Sequence, residues 1–344
     1  MLILIEIQSR KKTRVEHQGF NREHHHHFDK ARYVIDSAAR VAVVGHLRPD
    51  ADAIGSITAV VHALRYLGKR ARGFIGQAQE IPRNLLTIPG ATDIELTAEL
   101  PPVDLIIVVD CGSLDRTGAL ADAIAQSSRT LVIDHHASNP GFGTLNIIQP
   151  EAESTTVILA DLFKTLGVPL DRTLAHCLYA GVLTDTGSFR WGTPQMHLLA
   201  AQLMKTGLDT RRIAEELLDG NSVKDLRMMG SVLSGVTLEQ IGELGVAYLI
   251  ADRDTVYGHS SAAVESLADF VRVVDDADIG VVFKETSPGR WAVSLRSSHI
   301  DVSRIATQLG GGGHVPAAGY TTSGKTDTIV AELKNVLDDI SLEK

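Results

Sequence analysis

Three short apolar runs constrain this chain more than any other feature: Val41-Ala42-Val43-Val44, Leu105-Ile106-Ile107-Val108-Val109 and Leu131-Val132-Ile133. Each stops at or just short of a His or an Asp: His46 lies past the first, Asp110 follows the second, and Asp134-His135-His136 follows the third. A short run that stays apolar without alternation reads as a strand buried on both faces. Helical patterns separate and follow these runs. Ile54, Ile57, Val61, Leu64 and Leu67 recur near helical spacing, and Gly68 is placed to end that helix. Residues 118–126, 154–166 and 171–183 read as helices too. Strands alternating with helices predict an α/β fold, a parallel sheet flanked by helices on both faces. Ligands of such sheets gather at the carboxyl ends of the strands. The order of the runs alone therefore brings His46, Asp110, Asp134 and His135 to one edge.

The length of 344 residues fits about two domains of roughly 150 residues each. Residues 1–28 read as a flexible N-terminal extension, with the His24–His27 run part of that tail rather than a metal site. Residues 29–205 are the first, parallel-sheet domain. Residues 206–240 read as a helical linker, in which Asp209 caps a helix over Thr210–Leu218 and Gly220-Asn221 closes it. Residues 241–344 are a second, smaller α/β unit. Val246–Ile250, Ile279–Lys284 and Trp291–Leu295 look like its strands, and Ala262–Val274 and Val302–Leu309 like its helices. They precede Gly310 to Gly313, His314 and Ala317-Ala318-Gly319.

A net charge of −9 argues against a long basic groove for duplex DNA, although metals with a few Arg or His can still attract a short phosphate-bearing ligand. The two cysteines, Cys111 and Cys177, give neither a disulfide framework nor zinc-ligand spacing. No apolar stretch reaches the roughly 18 residues of a membrane span. Apolar Met1–Ile5 precede Arg10-Lys11-Lys12, the reverse of a secretory signal, so the expected location is cytoplasmic.

His46, Asp50 and Asp52 share one tight loop, with Pro49 holding the backbone extended. Asp185, in Thr184-Asp185-Thr186-Gly187, adds a fourth acidic segment. A lone Asp in a loop is usually a turn or cap residue, and His62, His176, His197 and His299 read as surface or satisfied core histidines. Four clusters at strand or helix ends, all of the same ligand type, read differently. Mixed carboxylate and imidazole ligands suit Mn2+ first, with Mg2+, Fe2+ or Zn2+ less favoured. Two ions about 3.5–4 Å apart need bridging carboxylates, and Asp110 and Asp185 are the candidates.

These residues resemble the DHH phosphoesterase superfamily. The first motif is Gly45-His46-Leu47-Arg48-Pro49-Asp50-Ala51-Asp52-Ala53-Ile54-Gly55-Ser56. The second is Val108-Val109-Asp110 with Arg116 and Gly118, and the third is Val132-Ile133-Asp134-His135-His136 with Ser138-Asn139. The fourth runs from Gly181 through Asp185 to Arg190. The Gly311-Gly312-Gly313-His314 stretch resembles the DHH-associated substrate domain, and the likeness covers about residues 30–342.

The resemblance implies that His46, Asp50, Asp110 and Asp185 hold one divalent ion and that Asp52, Asp110, His135 and Asp185 hold the other. It implies that Asp134 orients a ligand imidazole and that His136 lies beside the scissile phosphate. Arg116 and Arg190 are substrate-contact candidates, the alternative for Arg116 being a helix-start ion pair. Arg296, Ser297, His314 and the N–H groups of Gly311, Gly312 and Gly313 are candidates for holding the terminal phosphate or base. By size and domain content the chain resembles the short-oligonucleotide branch, which cleaves RNAs of about two to five nucleotides and dephosphorylates 3′-phosphoadenosine 5′-phosphate. A soluble phosphodiesterase of cyclic di-AMP or its linear product is the alternative, and a non-catalytic nucleotide or metal binder is the alternative of another class. The partners implied are short RNA or small nucleotides, with no membrane, and a homodimer is left open.

Overall fold

The computed structural model describes residues 26–342, without the side chains of His314 and of residues 339–342. The chain divides into two units, the first ending at Leu218 and the second starting at Asp219.

The first unit opens with α1 (26–36) and β1 (Arg40–Gly45), followed by α2 (Ala51–Tyr66), β2 (Arg70–Ile75), β3 (Glu95–Leu96) and β4 (Leu105–Val109). Then come α3 (Ala121–Ala125), β5 (Thr130–Asp134), β6 (Leu145–Ile148), α4 (Thr155–Leu166), α5 (Arg172–Asp185), α6 (Pro194–Met204) and α7 (Thr210–Leu218). The strands form one parallel sheet in the order β3-β2-β1-β4-β5-β6. Val43 pairs with Ile107 and Ile107 with Leu131, so the three apolar runs are the central strands, and all three residues are fully buried. Their carboxyl ends share one edge of the sheet.

Residues 1–25 of the expected tail lie outside the described residues. Residues 26–28 belong to α1, whose Phe28 is only 5% exposed in the core, so the fold begins earlier than its sequence pattern indicates. Strand β2 escapes the sequence pattern because Arg70 and Arg72 interrupt it, their exposed side chains alternating with buried Ala71. Helix α6 begins with Pro194 in its first turn, where proline's fixed φ costs nothing.

The second unit comprises α8 (Val223–Leu233), β7 (Thr237–Ile241), β8 (Leu244–Ala251), α9 (Arg253–Val256), α10 (Ser261–Val271), β9 (Ile279–Ser287) and β10 (Arg290–Arg296). It ends with α11 (Val302–Gln308), β11 (Gly312–His314), β12 (Ala317–Ser323) and α12 (Thr326–Leu342). Its sheet has the order β11-β12-β10-β9-β8-β7 and is mixed: β8 and β9 are parallel, the other neighbours antiparallel. The 206–240 segment divides between the units. Ile213 and Leu217 of α7 pack into the first core, Met228, Met229 and Val232 of α8 into the second, and β7 begins at Thr237.

Candidate metal centre

The site is assembled at the carboxyl edge of the parallel sheet. His46 leaves β1, and Asp50 caps α2 by accepting the Ala53 N–H at 3.0 Å. Asp52, in the first turn of α2, is fully buried and accepts the N–H groups of Thr155 and Thr156 at 2.7 and 3.1 Å. These are orphan donors of the α4 N-terminus, which favours a negative charge. Asp110 follows β4 with a left-handed φ of 52°, and its N–H donates to Ile133 O on β5 at 3.0 Å. Asp134 ends β5, His135 and His136 follow it, and Asp185 ends α5. Helix α5 passes so close that a Cβ on Gly181 would lie 2.1 Å from Asp52 Oδ1.

Three overlapping carboxylate–imidazole groups result: His46, Asp50 and Asp110; Asp52, His135 and Asp185; and Asp110, His135 and His136. His46 Nε2 is 3.5 Å from Asp50 Oδ2 and 3.5 Å from Asp110 Oδ2. His135 Nε2 is 3.6 Å from Asp110 Oδ1 and 3.4 Å from Asp185 Oδ2, and Asp52 lies within the same ligand set. Asp110 thus offers Oδ2 to His46 and Oδ1 to His135, with His136 Nδ1 also 3.8 Å from Oδ1. Ligand atoms bound at about 2.1 Å to one ion sit roughly 3.0–3.4 Å apart, so these gaps match a shared cation better than direct hydrogen bonds.

The rings are oriented for this. His46 Nδ1 lies 2.7 Å from Leu47 O, and His135 Nδ1 lies 3.2 Å from Ala152 O. An Nδ1–H donated to a carbonyl leaves the Nε2 lone pair facing inward. The imidazole that bonds Asp134 is His136, at 2.8 Å, while Asn139 Nδ2 donates to the other Asp134 oxygen at 2.7 Å. Asp134 therefore steadies His136, not the ligand-type His135 as expected from the sequence. His135 is otherwise engaged, its Nδ1 at Ala152 O and its Nε2 facing Asp110 and Asp185.

Charge follows from burial and crowding. Burial, then the carboxylates of Asp110 and Asp50, pushes Asp52 well above the usual carboxylate range; burial with Asp52, Asp50 and Asp110 does the same to Asp185. Burial disfavours a charged His46, but Asp110 and Asp50 override it and hold the ring up to about 10. Burial lowers His135. Acids that resist ionising beside one another are the donor set a divalent cation relieves, so the residues present fit such ions.

Arg116 Nη2 is 3.0 Å from His46 Nδ1, and Leu47 N–H donates to Arg116 O at 2.8 Å, which places this exposed arginine beside the first loop. Arg190, also exposed, donates Nε–H to Gly187 O at 2.6 Å and lies 5.7 Å over the Trp191 ring.

The second-unit candidates form a separate group. Ser297 Oγ donates to Asp278 O at 2.7 Å and accepts from the N–H groups of His299 and Ile300 at 3.2 and 2.9 Å, which commits the hydroxyl to the backbone around it rather than to a phosphate. Gly311 N–H donates to Ala306 O at 2.7 Å, so it does not face an anion as expected. Gly312 and Gly313 pair with Gly319 and Ala318, and a Cβ on Gly311 or Gly313 would strike β12 at 2.2 or 2.6 Å. Close strand packing accounts for Gly311 and Gly313, while Gly310 has open space around it and a left-handed φ of 78°. Arg296 ends β10, donates Nη1–H to Leu295 O at 3.0 Å, and is lowered in pKa by burial. The His314 side chain lies outside the described residues.

Three features went unread in the sequence: the Thr155 and Thr156 amides under Asp52, the turn at Trp191, and Gln77, whose Oε1 accepts the N–H of left-handed Arg48 at 2.6 Å. Ser154-Thr155-Thr156 opening a helix was the available signal for the first.

Comparison with known proteins gives matches in both units. The model of the DHH family, N-terminal domain, matches residues 40–182, and that of the DHHA1 domain matches residues 245–339. A protein of Thermus thermophilus described as the bifunctional oligoribonuclease and PAP phosphatase NrnA is 33% identical over 291 residues, covering 83% of this chain and 84% of that protein. Among solved structures, an exopolyphosphatase-related protein from Bacteroides fragilis shares the fold with a TM-score of 0.82 at 24% identity, covering 92% of this chain and 97% of that one.

Proposed function

This chain belongs to the DHH family, and from that premise we propose that it is a metal-dependent phosphoesterase that hydrolyses short oligoribonucleotides to mononucleotides and 3′-phosphoadenosine 5′-phosphate to AMP. The observation that carries the reading is Asp110, reached by His46 at 3.5 Å on one oxygen and by His135 at 3.6 Å on the other. We assign His46, Asp50, Asp110 and Asp185 to one divalent ion and Asp52, Asp110, His135 and Asp185 to the second, with Asp110 and Asp185 shared and Mn2+ favoured over Mg2+. Bound ions supply Lewis-acid activation of the attacking water and neutralise the phosphate.

The chain's own groups do the rest. His136, its Nδ1 held by Asp134, donates from its other nitrogen to the phosphate or the leaving oxygen. Arg116 and Arg190, both on the metal-bearing unit, bind substrate phosphates. The reading carries a cytoplasmic location. Among the described residues no helix is long and apolar enough to cross a membrane.

The double variant Asp134→Ala, His135→Ala tests this: Mn2+-dependent hydrolysis of a di- to pentanucleotide is expected to vanish, and retained activity sinks the assignment. Initial rates on short RNA, 3′-phosphoadenosine 5′-phosphate, cyclic di-AMP and pyrophosphate, run in parallel, rank the substrates. Mn2+ binding without turnover of any of them would identify a binder instead.

A further inference from the structure

Asp185 is held differently from Asp50, Asp52 and Asp134. Asp50 and Asp52 accept backbone N–H groups, and Asp134 accepts the Asn139 amide. Among the described residues, no backbone N–H donates to the Asp185 carboxylate, which sits at the C-terminal end of α5, where the helix dipole disfavours negative charge. Besides the hydrogen bond from the Thr184 side chain, its position depends on the backbone that follows.

That backbone is unusual. Gly187, Ser188 and Phe189 are successively left-handed, with φ of 55°, 64° and 63°, a conformation costly for the two residues with a Cβ. A dense set of bonds enforces it. Ser188 N–H donates to Leu183 O at 2.8 Å and Arg190 N–H to Thr186 O at 2.9 Å. Thr186 Oγ1 donates to Val182 O at 2.6 Å while accepting the Phe189 N–H at 2.9 Å. Trp191 closes the turn. Its indole N–H donates to Asp185 O at 2.8 Å, and its ring lies so close over Gly187 that a Cβ there would be 2.1 Å away.

We propose that Trp191 is a positioning residue for the metal centre: the indole N–H and ring lock the left-handed turn and thereby fix where Asp185 presents its carboxylate. The inference rests on the reading of Asp185 as a metal ligand. It explains why a tryptophan 39% exposed to solvent stands at this point: its ring is the packing surface for Gly187, and its nitrogen satisfies a helix-terminal carbonyl.

The test is calorimetric titration of metal-free protein with Mn2+, using Trp191→Phe (which removes the indole N–H and leaves a smaller ring), Trp191→Ala and, as a control, Asp185→Asn. Outer-shell supports of metal sites typically cost 10–100-fold in affinity when removed. Trp191→Phe is expected to weaken Mn2+ binding on the order of 10-fold and Trp191→Ala further, with excess Mn2+ restoring the rate and KM for a trinucleotide unchanged. The thermal unfolding of metal-free Trp191→Phe should match the parent chain, showing that the fold is intact. Wild-type affinity in both Trp191 variants, with Asp185→Asn impaired, overturns the inference alone. Wild-type affinity in Asp185→Asn as well removes the ligand reading and the inference together. A raised KM with unchanged Mn2+ affinity would mean that the indole serves the substrate, which also overturns it.

Discussion

At Gly181 a hydrogen is all that fits. A methyl there would lie 2.1 Å from Asp52 Oδ1 and 2.4 Å from Thr156 Oγ1, so Gly181→Ala should cost about 1–3 kcal/mol in urea unfolding, as overpacking does, and weaken Mn2+ binding by moving Asp52. His136→Gln should act in the opposite way. Metal affinity measured by titration should stay within a few-fold, while turnover of a dinucleotide falls by about 10²–10⁴ if His136 transfers the proton. His46, Asp110 and His135 were legible because each follows an apolar run and the sheet rule fixes which end of the run matters. The partner of Asp134 was not legible, since it depends on which of the two rings is engaged elsewhere. Nor was the employment of Ser297: a serine after a strand reads alike whether its hydroxyl serves a ligand or the backbone around it.

Elements were legible where their pattern was unambiguous. The buried strands β1, β4 and β5 showed as unbroken apolar runs, whereas β2, broken by Arg70 and Arg72, and the short β3 and β6 did not. Helix α4 matters beyond its length, because its first amides hold Asp52. Ser154 accepts Val157 N–H at its start, so Ser154→Ala should cost about 1 kcal/mol, read by chemical unfolding. In the second unit, Asp225 ties α8 to the turn before α10. It accepts the Ser222 hydroxyl at 2.8 Å, faces His259 Nδ1 at 2.9 Å and accepts Ser260 N–H at 3.2 Å. The Ser222 bond, helped by His259, holds its carboxyl down to about 2, against a burial effect in the other direction. A carboxyl lowered in the folded state stabilises above its unfolded pKa and stops doing so as pH falls through the folded one. Protection factors of the α8 and α10 amides, relative to the unfolded chain at the same pH, should therefore fall between about pH 4 and 2 in the parent chain. Asp225→Asn should show little of that dependence.

The division of the whole chain into two units was legible from length and from the change of pattern after residue 205, but its position was not. Helical periodicity runs on both sides of Leu218, and only packing tells which core each helix joins. Each unit has its own hydrophobic core, and all the proposed metal ligands lie in the first. Saturating Mn2+ should then raise the unfolding temperature of the first unit and leave the second unchanged in scanning calorimetry, with a chelator reversing the shift. At 100 times the Kd the gain is about 2.7 kcal/mol.

The position of Asp185 at the end of α5 also sets an order of events during synthesis. Domains fold from the N-terminal side as the ribosome delivers about 5–20 residues per second. His46, Asp50, Asp52, Asp110 and His135 emerge first, and their last companion follows His135 by 50 residues, roughly 3–10 s at that rate. Until Asp185 clears the exit tunnel, a nascent chain carries three of the ligand aspartates and both histidines with no closed cage, so the final ion is captured late, by a sheet whose central strands have already emerged.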